Sequence, residues 1–110
     1  MITKETVHLK REDIRRIAAH HGAVNVRVFG SVARGEAKHD SDLDLLIDVG
    51  PRTSSWFPAG LILDLEKLLD CRVEVVTEKS LNPELRERVI IEAIPRGIIG
   101  LPITQKLTQN

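Results

Sequence analysis

The sequence predicts a small α/β (α+β) domain, a mixed β-sheet covered by helices. Three observations carry that prediction. Apolar, β-branched runs of strand length recur at residues 24–29, 42–49 and 72–77. Between and around them lie segments whose apolar residues repeat with helical spacing, at 12–21, 58–69 and from 82 onward. A chain of 110 residues has room for one core and one sheet, so the alternation describes a single unit.

Each element follows from its residues. In 12–21, Ile14, Ile17 and Ala18 share a face, and Gly22 supplies the stop. The strand at 24–29 ends at Gly30, and Ser31 is suited to cap a short helix beginning near Val32. Leu43, Leu45, Ile47 and Val49 then alternate with Asp42, Asp44, Leu46 and Asp48. Successive strand side chains face opposite ways, so Asp42 and Asp44 share one face. Pro51 to Ser55 read as a loop, and 58–69 as an amphipathic helix turning Leu61, Leu65, Leu68 and Leu69 inward. The strand at 72–77 carries one acid, Glu74, in its middle. Asn82 and Pro83 are cap and first residue of a helix with Leu85, Val89 and Ile90 inward, ending before Pro95. The domain is expected over 1–96. Residues 97–110 form an apolar tail without helical period, a candidate docking segment for a partner.

Composition narrows the function. Lys+Arg and Asp+Glu both number 16, so no net charge draws the chain to nucleic acid. Aromatic residues make up 3%, too few for a stacking groove along a single strand, so direct nucleic-acid binding is disfavoured. No apolar run is long enough to span a bilayer, and the polar start does not read as a signal peptide. Cys71 has no second cysteine to pair with, which suits a reducing, cytoplasmic setting.

The chemistry concentrates in residues 30–48. Gly30 lets a backbone come close, and a helix start after a strand offers free N–H groups to phosphate. The Ser31 hydroxyl adds a donor, and Arg34 and Lys38 are cations within reach. Asp42 and Asp44 are like charges on one face, an arrangement that invites a hard divalent cation such as Mg²⁺. Glu74 is the candidate third acid from a neighbouring strand.

Other residues tempt less. His20 and His21 read as a helix C-terminus rather than a metal site. His39 reads as exposed, Asp40 as a turn acid, and Asp48 as a strand end facing away from the metal. Trp56 and Phe57 read as a hydrophobic staple under the following helix, ahead of a base-stacking role. Arg86 and Arg88 with Glu84, Glu87 and Glu92 read as a solvated charged face.

The Gly30-Ser31 pair, its ten-residue spacer and Asp42-Leu43-Asp44 resemble the signature of the DNA polymerase beta-like nucleotidyltransferase superfamily. The local wording, Gly-Ser-Val-Ala-Arg-Gly-Glu-Ala and then Ser-Asp-Leu-Asp-Leu-Leu-Ile, is similar to its minimal nucleotidyltransferase (MNT) branch. The resemblance implies the nucleotidyltransferase fold, with Gly30 and Ser31 binding triphosphate and Asp42, Asp44 and Glu74 binding Mg²⁺. It implies ATP as substrate and a HEPN-domain ribonuclease toxin as partner. On that expectation the chain is an antitoxin that transfers AMP to a toxin hydroxyl, with tyrosine as the expected acceptor. Two alternatives stand beside it: an antitoxin that neutralises by steric binding, and a small-molecule nucleotidyltransferase needing a separate helical subunit. The sequence departs from the branch at two places. Glu74 stands where Asp is usual, and Val32 where a basic residue is frequent, with Arg34 the candidate to supply that charge.

Overall fold

The structure is a computed structural model and describes residues 1–93. It is a three-stranded mixed sheet with helices packed on it, as the alternation of elements predicts. The elements are α1 (Lys4–Leu9), α2 (Arg11–His21), β1 (Ala23–Phe29), α3 (Gly30–Arg34), β2 (Leu43–Val49), α4 (Ala59–Leu69), β3 (Val73–Val76) and α5 (Pro83–Ala93). A single 3₁₀ turn, Glu78–Ser80, separates β3 from α5.

Sheet order is β1-β2-β3, with β1 antiparallel to β2 and β2 parallel to β3. The end of β1 therefore meets the beginnings of β2 and β3 at one edge. One row of the ladder runs Phe29, Asp44, Glu74. Leu43, Leu45 and Ile47 leave the other face of β2 and are buried with Val26, Val28 and Val73. Ile14 and Ala18 of α2 and Leu61, Leu65 and Leu69 of α4 close that core. Leu68, predicted inward, is only partly buried at its margin.

The element boundaries have local causes. Gly22 ends α2 with φ +93°, and a Cβ there would overlap the carbonyl of Arg52. The register between β1 and β2 shifts between Val24 and Arg27, where Asn25 takes φ +54° and its amide donates to Asp48 at 2.8 Å. Helix α1 was outside the sequence prediction. Thr3 starts it, its Oγ1 accepting from Thr6 N–H at 3.2 Å, and Val7 plugs the core at 0% exposure.

Helix α5 begins as expected, with Asn82 Oδ1 accepting from Glu84 N–H at 2.8 Å. Its packing differs from the prediction. Leu85 is 49% exposed rather than inward, and Val89 and Ile90 are half-buried. A period of three to four residues shows which side chains share a face, not whether anything covers that face. The predicted stop at Pro95 and the tail at 97–110 lie outside the described residues.

Candidate functional site

The sheet edge gathers the predicted chemistry. Gly30 follows β1 directly, with φ +78°, a conformation that favours glycine. The close approach is real as well: a Cβ on Gly30 would collide with the Asp44 carboxylate, whose Cγ would lie 3.1 Å away. Gly30 is thus required twice, for its backbone angle and for room. Helix α3 starts at Gly30 itself, and Phe29 is its extended cap residue without a side-chain bond. Ser31 therefore sits inside the first turn and does not cap the helix as predicted. The tight turn at Gly30 brings the helix start two residues earlier than a Ser31 cap suggests.

The acids divide into a pair and a neighbour. Asp44 and Glu74 are register partners on the parallel β2–β3 pair, so they lie side by side. Burial pushes the Asp44 carboxyl up to about 7, and a hydrogen bond and like charge from Glu74 push the same way. Two carboxylates held side by side are suited to share a cation. The charge of Arg34 acts in the opposite direction on Asp44, which places that guanidinium near the pair.

Asp42 precedes β2 rather than lying within it. Its Oδ1 is 3.0 Å from Arg72 Nε, yet the N–H is not aimed along that line, and the oxygen is buried without a hydrogen-bond partner. The Arg72 guanidinium balances the charge of that oxygen without a formed hydrogen bond, and a hard cation can take its place. The donor chemistry of Asp42, Asp44 and Glu74 thus fits Mg²⁺. Among the described residues, however, no three His, Cys, Asp or Glu groups stand close enough together to hold one ion. The structure brings Asp44 to Glu74 and leaves Asp42 beside Arg72.

Arg34 projects from the last residue of α3. Its Nε donates to Glu36 at 2.8 Å and its Nη1 to Glu92 at 2.8 Å. These bonds, Glu36 first, raise its pKa further above the ordinary arginine value. Lys38 is exposed. His39 and Asp40 are exposed as expected, with Asp40 in a turn. Asp48 is held on the sheet by Asn25 and by Arg27, whose Nη2 donates at 2.9 Å, away from the acid pair.

Two features, Glu92 and Trp56, differ from the sequence reading, and a third, His21, ends α2 as read but makes contacts the sequence did not signal. Glu92 is not part of a solvated face. Its Oε2 accepts from Gly30 N–H at 2.7 Å, and its Oε1 is the acceptor for Arg34. Sixty-two positions separate Glu92 from Gly30, so no local spacing signals the contact. His21 is buried, and its Nδ1 and Nε2 lie 2.7 Å from Ser54 Oγ and 2.7 Å from Asp64 Oδ2. It ties the end of α2 to the 51–58 loop and to α4, with Gly60 leaving space for the ring. Trp56 is 74% exposed, so only Phe57 packs against the core as the staple reading requires.

Comparison with known proteins gives this geometry a family. A model of the nucleotidyltransferase domain matches residues 11–95. The protein adenylyltransferase MntA of Thermococcus cleftensis is 36% identical over 94 residues, covering 78% of this chain and 95% of that one. A solved structure described as a candidate minimal nucleotidyltransferase is 52% identical with TM-score 0.74, covering 86% of this chain and 96% of that chain. A toxin–antitoxin complex crystallised with AMP-PNP contains a chain with the same fold, at TM-score 0.63 and 19% identity, covering 84% of this chain and 74% of that chain.

Proposed function

The chain belongs to the nucleotidyltransferase domain family, and from that membership we propose that it is an antitoxin that transfers AMP from ATP to a hydroxyl of a cognate toxin. The observation that carries the reading is the Asp44–Glu74 carboxylate pair packed against the Gly30 turn. Anion-binding donors and acidic cation ligands lie next to each other, and a magnesium-bound triphosphate needs both.

On this reading the Gly30 N–H, Ser31 and Arg34 hold the β- and γ-phosphate oxygens. Asp44 and Glu74 would hold Mg²⁺, with Asp42 joining them by turning in from Arg72, and the ion would supply charge neutralisation for the triphosphate. The acceptor oxygen attacks the α-phosphorus, forming the new P–O bond as the bond to pyrophosphate breaks. On this reading the hydroxyl proton goes to a carboxylate, and the greater exposure of Glu74 than of Asp44 supports Glu74 in that role. Positioning and charge neutralisation do most of the work in such a transfer.

On this reading the acceptor is supplied by another protein. The relative named protein adenylyltransferase and the toxin–antitoxin complex with this fold support that assignment. We assign the acceptor to a tyrosine of a HEPN-domain ribonuclease toxin, met in the cytoplasm. The described helices include none long and apolar enough to cross a membrane.

The test is the intact mass of the toxin after incubation with this protein, ATP and Mg²⁺. The expected result is a gain of one or more adenylyl groups, absent with the Asp42→Ala/Asp44→Ala variant. A stable complex without any mass gain would refute transfer and establish neutralisation by steric binding.

A further inference from the structure

Glu92 lies near the end of α5 and places its two carboxylate oxygens on Gly30 N–H, at 2.7 Å, and on Arg34 Nη1, at 2.8 Å. These are the groups assigned above to triphosphate. A carboxylate and a phosphate offer such donors the same thing, anionic oxygen, and the two cannot occupy one donor set together. Resting on the nucleotidyltransfer reading, we propose that Glu92 is a built-in competitor of the triphosphate, and that nucleotide binding requires Glu92 to release the turn.

The surroundings support release over co-occupancy. Arg34 does not need Glu92 to stay in place, because Glu36 holds its Nε at 2.8 Å. Once Glu92 leaves, the guanidinium keeps one anchor and gains a free edge for phosphate. A carboxylate left beside the triphosphate would repel it, next to a site that already holds Asp44 and Glu74. The helix is also loosely held. None of its described side chains belongs to the buried core, and Leu85 and Ile91 are 49% and 62% exposed. Helix α5 touches β1 and α3, and Glu92 adds to that packing the two hydrogen bonds that occupy the nucleotide turn. Occupancy of the turn and attachment of α5 are therefore coupled: loading nucleotide loosens the helix, and a partner that pulls on the helix opens the site.

The experiment is titration calorimetry of the full chain with AMP-PNP and Mg²⁺, comparing the parent with Glu92→Gln, Glu92→Ala and Glu87→Gln. Glu87 is exposed on the same helix, so its variant controls for loss of one negative charge. Both Glu92 variants are expected to bind about tenfold more tightly than the parent, as removal of a competing closed state requires. Glu87→Gln is expected to stay within about twofold, the size of a screened surface charge. Hydrogen exchange gives a second readout. Amides of α5 should exchange faster in the parent once nucleotide is bound, and fast in Glu92→Gln without it. Glu92 variants that bind equally or more weakly, or an α5 that exchanges more slowly with nucleotide, would overturn the proposal and leave nucleotide binding intact. Folded parent and variants that all fail to bind AMP-PNP would instead sink the nucleotidyltransfer reading, and this proposal with it.

Discussion

Replacing Asp44 with Asn tests the acid pair without any nucleotide. Asparagine keeps the shape of the side chain against Gly30 and removes its charge. Burial and Glu74 move the Asp44 carboxyl from 3.8 to about 7 in the folded chain. The folded protein thus keeps a proton that the unfolded chain gives up at lower pH. The stability tied to that proton is fully present below pH 3.8, falls as pH rises, and is gone above about pH 7. Taken at face value the interval corresponds to about 4 kcal/mol, at about 1.36 kcal/mol per tenfold. Asp44 is only half-buried, so solvent screening brings the expected size to roughly 1–2 kcal/mol. At pH 8 the Asp44→Asn variant should melt above the parent by roughly 5–10 °C, given the entropy of unfolding of a domain this size. Near pH 4 the two curves should converge. Mg²⁺ should raise the melting temperature of the parent at pH 8 and leave the variant nearly unmoved. Thermal unfolding followed by circular dichroism across this pH range decides the matter. A variant no more stable than the parent at pH 8, or a gap that does not change with pH, would refute the account of a carboxylate pair in need of a cation.

The other predictions concern the turn, the histidine and the core. Gly30→Ala should lower transfer activity at least about 100-fold, because the new methyl meets the Asp44 carboxylate at a backbone angle that alanine resists; rates of toxin adenylylation measure it. Arg34→Ala should weaken AMP-PNP binding about tenfold, the size of a charge-assisted contact to phosphate, with little change in melting temperature for a side chain this exposed. His21→Leu should destabilise the fold by about 1–3 kcal/mol in urea unfolding, since Ser54 and Asp64 both lose their partner. Leu45→Ala, at 0% exposure in the core, should cost about 2–5 kcal/mol.

Much of this molecule is legible in the sequence because period and punctuation are local. Alternation in β2 predicts one buried face, and Leu43, Leu45 and Ile47 are buried, while Val49 is 49% exposed at the strand end and Leu46 on the opposite face is buried as well. Gly22 and Asn82-Pro83 mark helix ends that the backbone confirms. Glu74 could be picked as the third acid because a lone acid in an apolar strand needs a reason, and the β2–β3 register places it beside Asp44. What stayed hidden depends on distance along the chain. His21 finds Ser54 and Asp64 thirty-three and forty-three positions away, and no spacing rule connects them. Glu92 looks like one charge among several on α5 until the helix is laid over β1 and α3. Leu85 fails for a related reason: amphipathicity names a face, and only the neighbours decide whether that face is covered. Asp42 shows the limit of strand alternation, because the strand begins one residue after it and the side chain turns to Arg72.

The core and the site are enforced by the same register. In β2 the side chains at 43, 45 and 47 go into the core, so the carboxylate at 44 must go to the other face. A slip by one residue against β1 would bury Asp44 and strip Leu43 and Leu45 of their cover. The same holds for β3, where Val73 is 6% exposed and Glu74 beside it is exposed. Parallel pairing then aligns Asp44 with Glu74, and antiparallel pairing brings the end of β1, with Gly30, to the same edge. The apolar residues thus aim the acids without touching any ligand. Large-to-small changes at Leu43 or Leu45 should therefore lower transfer activity at temperatures where the chain is still folded, as the strand loosens and the acid pair loses its alignment. By the same reasoning, charge-conserving changes at Asp44 or Glu74 should leave the core packing alone and alter only the chemistry at the edge. That separation, measured as melting temperature against transfer rate for the two classes of variant, is what a site built on strand register requires.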